Sequence, residues 1–254
     1  MSNRYITGAS EIVDVHTHFG NMPCVNFARG LAEFEDVERS FGITRAICTA
    51  ARAIFYDMTS GNAEMYDAVE SSGILYMYVY VNPLKLDASL KELDTYAGLP
   101  RVAGIKSRPS YHHVPADGAP YLELCARAAE LGMPYLMHAR EPADVLEGVR
   151  LIEKVPSLSL ILAHVAPTDW PSCVDALRDH PNIHLDLCAS IQQLGRIRHL
   201  LDLVGAQRIL LGTNSTLLSP AWMLGAFQSA EITPAEKELI YRENALRLFG
   251  DRLR

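Results

Sequence analysis

Four of the nine histidines stand where they could share a metal ion. His16 and His18 lie two residues apart in Asp14-Val15-His16-Thr17-His18, at the end of an apolar run, and the period of two in a strand turns both imidazoles to one face. His138 closes Tyr135-Leu136-Met137-His138, and His164 closes Ile161-Leu162-Ala163-His164. Taken singly, each is equally readable as a satisfied core or surface histidine. Taken together they form a set of imidazoles, the commonest ligand for zinc and similar divalent ions. Lys106 ends an apolar run, and Arg108, His112 and His113 in the loop after it, with Arg140, would make a cationic rim suited to a carboxylate, which arginine grips with two parallel hydrogen bonds. Solvated loop charge is the alternative reading for each of them. Tyr111 reads either as a substrate-facing ring or as loop packing, and Cys188 either as lining the pocket or, the favoured reading for a lone thiol, as packing.

Those residues need a scaffold that gathers strand ends. Eight short β-rich runs, at 12–16, 44–50, 74–82, 102–106, 135–138, 159–164, 183–187 and 208–212, are separated by amphipathic stretches. Helical patterns fall at 63–72, 88–97, 120–131, 142–154, 171–179, 192–204 and 220–230, several with proline in the first turn, where its missing N–H is harmless. A further stripe over 234–249 would close an outer ring. This alternation, without a G-x-G-x-x-G turn, predicts an α/β fold with one (β/α)8 barrel over residues 1–254 rather than an open doubly wound sheet. The C-terminal ends of barrel strands face the mouth, where barrel enzymes place their chemistry. The longer segment 20–39 is expected to hold a loop over that mouth before its helix.

Composition narrows the partners. The 254 residues are 49% hydrophobic and 21% charged, ordinary for a chain able to bury a large core. A net charge of −7 with no Lys/Arg run argues against nucleic acid. The polar stretch 2–10 does not read as a signal peptide, and no apolar run approaches the ~20 residues that span a bilayer. Five widely spaced cysteines read as reduced thiols, so the expectation is a cytoplasmic protein with a small-molecule substrate. Assembly as a homo-oligomer through exposed barrel helices is a fold-level expectation.

The strand-end motifs Asp14-Val15-His16-Thr17-His18, Gly104-Ile105-Lys106, His138, His164 and Leu211-Gly212-Thr213-Asn214, with the tail Glu243-Asn244-Ala245-Leu246-Arg247-Leu248-Phe249, resemble the amidohydrolase-related branch of the amidohydrolase superfamily. The resemblance implies that His16, His18 and His138 bind a divalent metal, usually zinc, and that His164 binds a second ion or orients the attacking water. A metal with three protein ligands and an open position lowers the pKa of bound water to roughly 7 and polarises a carbonyl. Hydrolysis of an amide, ester or lactone is then the expected reaction; some members of the branch decarboxylate or hydrate instead. In some members a carboxylated lysine ends strand four; for Lys106 a plain ammonium facing an anion is the favoured reading.

One position departs from the family pattern. After Gly-Thr at the end of strand eight the family carries an aspartate that binds the metal and takes the proton of the nucleophilic water. Asn214 stands there instead, and a neutral amide can ligate weakly or accept a hydrogen bond but cannot be a general base. Three explanations follow: a base elsewhere, with His164, Glu141 and Asp186 as candidates; a chemistry that needs none, such as decarboxylation; or a non-catalytic binding protein on a degenerate barrel.

Overall fold

The eight β-rich runs become eight parallel strands that pair in sequence order: β1 Ile12–Phe19, β2 Ile43–Ala50, β3 Leu75–Tyr80, β4 Val102–Ser107, β5 Tyr135–His138, β6 Leu160–Ala163, β7 Ile183–Asp186 and β8 Ile209–Leu210. The computed structural model describes residues 11–23 and 30–254. Cys24, the stretch 2–10 and the centre of the expected mouth loop lie outside the described residues.

The sheet closes where the end of β8 meets β1. Val15 N–H donates to the Leu211 carbonyl and Asn214 N–H to the His16 carbonyl, both at 2.9 Å, and His18 N–H contacts the Ser215 carbonyl. The result is a single (β/α)8 barrel. Strand alternation sorts its side chains into two clusters. Val13, Val15, Ile47, Tyr76, Tyr78, Ala103, Leu136, Ile161, Ala163 and Leu210 fill the interior together with Phe249 and Leu253 from the tail, while the intervening residues pack outward against the helices. A sheet covered on both faces in this way reads as nearly continuous apolar sequence.

Eleven helices, numbered in chain order, surround the strands among the described residues. They are α1 Leu31–Ser40, α2 Ala51–Phe55, α3 Met58–Glu70, α4 Leu86–Tyr96, α5 Pro109–His112, α6 Ala119–Glu130, α7 Pro142–Lys154, α8 Arg196–Val204, α9 Pro220–Ser229, α10 Pro234–Glu238 and α11 Asn244–Phe249. Two differ from the sequence pattern. The stretch 171–179 forms no α-helix but two 3-10 turns, Trp170–Ser172 and Val174–Leu177. The expected helix 192–204 starts only at Arg196, after Gly195 in a left-handed conformation (φ 80°), which glycine adopts without steric cost.

One irregularity decides the site. The register of β1 against β2 slips between Asp14 and Thr17. Val13 faces the interior before the slip and Val15 within it, and a one-residue slip exchanges the two faces. Past it, the imidazoles of His16 and His18 point inward. A second constraint lies between β4 and β5, where a Cβ on Gly104 would stand 2.3 Å from the Pro134 carbonyl oxygen. Gly104→Ala is therefore expected to cost about 1–3 kcal/mol, which thermal unfolding would register as a Tm lowered by roughly 3–10 °C.

Candidate active site

All four strand-end histidines are buried and converge at the C-terminal mouth of the barrel. Ring centroids lie 5.2 Å apart for His16 and His18, 5.3 Å for His16 and His164, and 4.7 Å for His138 and His164. Burial, together with the nearby charges of Lys106 and Arg108, holds His16, His18 and His138 well below the ordinary imidazole range. Burial also brings His164 down to about 4. All four are thus neutral near pH 7, the form that offers a lone pair to a metal.

Hydrogen bonds show which lone pairs are left. His16 Nδ1–H donates to Asp186 Oδ2 at 2.6 Å, and His164 Nδ1–H donates to the Cys188 carbonyl at 2.6 Å. In each ring Nε2 keeps its lone pair. Both ring nitrogens of His18 and Nδ1 of His138 are buried without a hydrogen-bond partner. Buried ring nitrogens left without partners cost stability unless something satisfies them, and a divalent cation fits the one lone pair that each neutral ring offers. Asn214, in a left-handed conformation (φ 62°), has its side-chain oxygen Oδ1 buried and unpartnered as well.

Asp186 sits behind the centre. Its carboxylate accepts from the His16 ring, from Cys188 N–H at 3.0 Å and from the Cys188 thiol at 3.1 Å. Gly212 makes room for it, since a Cβ there would lie 2.3 Å from Asp186 Oδ1. The geometry is that of a carboxylate fixing the tautomer and orientation of an imidazole. As a replacement base Asp186 is therefore poorly placed, and Glu141, exposed at the start of α7, stands outside the buried cluster. Cys188 does more than pack: its sulfur lies 3.2 Å from His16 Nδ1 and 3.4 Å from His164 Nδ1. Its ligating atom and those of His16 and His164 all fall within 4.8 Å of one another. Burial and the Asp186 carboxylate push the thiol well up, keeping it an S–H donor.

Asp14 performs a separate task, accepting from His16 N–H (2.9 Å), Thr213 N–H (3.1 Å) and the Thr213 hydroxyl (2.5 Å). It thereby locks the first metal-candidate strand to the loop that carries Asn214. At the end of β6 the chain takes three successive left-handed residues, His164 (φ 74°), Val165 (φ 54°) and Ala166 (φ 44°), each costing on the order of 1 kcal/mol or more for a residue with a Cβ.

The cationic residues divide. Lys106 is fully buried and its Nζ has no hydrogen-bond partner; burial and the charge of Arg108 bring it down to about 7. Arg108 is buried too, with its guanidinium carbon 4.3 Å from the centre of the Tyr111 ring. Tyr111 lies 6.0 Å from the His138 ring and 6.1 Å from Phe55, so it forms a wall of the mouth. Arg140 is exposed, its backbone N–H bonded to Asp144. His112 is tied down between Tyr80 and Tyr121.

Two outcomes follow. Asp186→Asn is expected to leave the circular dichroism spectrum unchanged and to weaken zinc binding about 10- to 100-fold in chelator competition; an unchanged affinity would detach Asp186 from the centre. For Lys106 the folded-state pKa near 7 lies below the unfolded value of about 10.4, so the unfolded chain binds the extra proton between these limits. The stability of chelator-treated protein should therefore rise as pH increases from about 7 to about 10. Lys106→Met should flatten that slope and raise Tm near pH 7, and denaturation at several pH values reads both.

The family model for amidohydrolases matches residues 13–250. No curated protein sequence matches the chain. Among solved structures, 2,6-dihydroxybenzoate decarboxylase from Rhizobium superposes with a TM-score of 0.76 at 15% identity, covering 94% of this chain and 98% of that one. A Polaromonas dihydroxybenzoic acid decarboxylase with bound manganese and 2-nitroresorcinol gives 0.74 at 15% identity, covering 94% and 97%. A Pseudomonas putida protein assigned as a 2-pyrone-4,6-dicarboxylic acid hydrolase gives 0.72 at 16% identity, covering 96% and 98%. At such identities the likeness to these structures speaks for the shared barrel. The family match across nearly the whole chain, on a barrel whose strand ends gather His16, His18, His138 and His164, makes this chain a member of the amidohydrolase family.

Proposed function

We propose that this protein is a cytoplasmic metal-dependent hydrolase that opens an amide, ester or lactone bond in a small carboxylated substrate. His16, His18 and His138 hold the metal, most simply zinc, through nitrogens that burial keeps neutral. A divalent ion bound there supplies Lewis acidity toward a carbonyl and an acidified water. The observation that carries the reading is the set of orphaned nitrogens on His18 and His138, beside a His16 ring already oriented by Asp186.

The remaining roles follow from placement. With Nδ1–H engaged by the Cys188 carbonyl, His164 keeps Nε2 to accept a proton or to hydrogen-bond a substrate oxygen. It is the candidate base that the geometry leaves in the cluster. Asn214 offers an acceptor at the position where the family has a carboxylate. Lys106 and Arg108 bind the substrate carboxylate, and Tyr111 and Phe55 form an apolar wall beside it. Arg140 contributes charge at the outer rim.

A second reading is a decarboxylase of the same branch. Asn214 favours it, since loss of carbon dioxide needs no base at that position, and two of the similar structures are decarboxylases. Product analysis with cyclic carboxylic acids separates the two reactions: release of carbon dioxide marks a lyase, and a new carboxylate or alcohol without gas marks a hydrolase. Elemental analysis of protein purified without chelator is expected to show about one equivalent of zinc. No transition metal, and no uptake of added zinc or manganese, would instead favour a non-catalytic binding protein. Asn214→Asp restores a negative ligand and is expected to raise zinc affinity by about tenfold or more; an unchanged affinity and turnover would remove Asn214 from the metal's surroundings.

A further inference from the structure

Arg196 has no place in the chemistry described so far, yet it is the largest fully buried side chain among the described residues. It opens α8 on the helix's buried face, one, four and five positions before Ile197, Leu200 and Leu201. A buried guanidinium is normally matched by a carboxylate. Here Nη1 and Nη2 go to neutral oxygens instead, and Nε is buried without a hydrogen-bond partner. Nη2 donates to the His164 carbonyl and, at 3.2 Å, to the Val165 carbonyl. Nη1 reaches the Leu187 carbonyl at 3.4 Å and Gln192 Oε1 at 3.3 Å.

The carbonyls it joins belong to the two strand ends that shape the site. His164 and Val165 begin the left-handed run after β6, and Leu187 immediately precedes Cys188, whose carbonyl accepts the His164 Nδ1–H. Three consecutive left-handed residues without glycine are disfavoured by their own Cβ atoms, Val165 most because it is β-branched. Neutral neighbours offer no comparable compensation: Ala166 N–H and His164 N–H are each held by one backbone carbonyl, Ala139 O at 3.0 Å and Asp186 O at 2.8 Å. A cation placed where the His164 and Val165 carbonyls converge stabilises the conformation that chain sterics oppose.

We infer that Arg196 is a positioning residue: its guanidinium fork holds the left-handed 164–166 turn against the end of β7 and thereby sets the direction of the His164 imidazole. None of the fork's hydrogen bonds goes to His16, His18 or His138, so zinc stoichiometry and His164 alignment are read as separate outcomes. The inference uses the role of His164 under the proposed function only for its consequence; the alignment itself is readable without any substrate.

The test is nuclear magnetic resonance of protein labelled with 15N-histidine and loaded with zinc. The short His164 Nδ1–H bond to a carbonyl places its proton signal downfield, and His164→Gln assigns it by deletion. In Arg196→Met the signal is expected to vanish or shift while zinc stoichiometry stays that of the parent. Arg196→Lys keeps the charge but cannot span both loops, so it should restore the signal only in part. Val165→Gly removes the steric opposition at one left-handed position, and Arg196→Met in that background should keep the signal better than Arg196→Met alone. An Arg196→Met protein with the parent signal unmoved would overturn the inference, as would a Val165→Gly background that gives no relief. If Arg196→Met fails to fold, Arg196→Lys compared with and without Val165→Gly decides the same question. Absence of turnover with an intact Arg196 dependence would sink the hydrolase reading and leave this inference standing.

Discussion

The barrel is closed by a buried carboxylate, and the site depends on that closure. Asp14 accepts three hydrogen bonds, one from its own strand at His16 and two from Thr213 beyond β8. Burial drives its pKa up, the neighbouring Glu38 adds to the rise, and those three donors oppose it. It brings the ends of the first and last strands into one register. His16, Asn214 and Gly212, and through Gly212 the Asp186 that orients His16, take their relative places from it.

Electrostatics within the mouth then run in a single direction. The four imidazoles are neutral, Lys106 and Arg108 are cationic or nearly so, and the two nearby carboxylates, Asp14 and Asp186, are turned away into the scaffold. With Asn214 in place of an acid, no carboxylate among the described residues is left facing the centre. A metal ion bound there would add further positive charge. This excess of positive charge is what supports the carboxylated substrate proposed above.

Much of this was legible in the residue pattern. Strands β1 to β8 follow from short apolar runs that end in polar residues, and His138 and His164 were visible as polar ends of β5 and β6. The inward aim of His16 and His18 was less accessible, because it depends on a slip in register between β1 and β2 that only pairing reveals. Asp186 looked like a spare acid; its role behind His16 needs the neighbouring strand and the bare Gly212 backbone. The segment 171–179 carries apolar residues at helical spacing, but with Pro171 it forms 3-10 turns. Arg196 did leave a signal: it shares a stripe with Leu200 and Val204, four and eight positions on, so a charge sat on the buried face of an amphipathic helix.

Asn214 shows how such a site can change chemistry while its backbone stays put. The position requires a left-handed conformation, which asparagine and aspartate adopt more readily than other residues with a Cβ. Its N–H still donates to the His16 carbonyl, and its own carbonyl accepts from Leu218 N–H at 3.0 Å. Exchange of a carboxylate for an amide therefore leaves the closure hydrogen bonds and the turn intact, and alters only one oxygen's charge and its capacity to take a proton. Any other replacement would have had to meet the left-handed backbone as well. The departure from the family pattern thus falls on an atom group outside the hydrogen bonds that close the barrel, so the fold accommodates either side chain there.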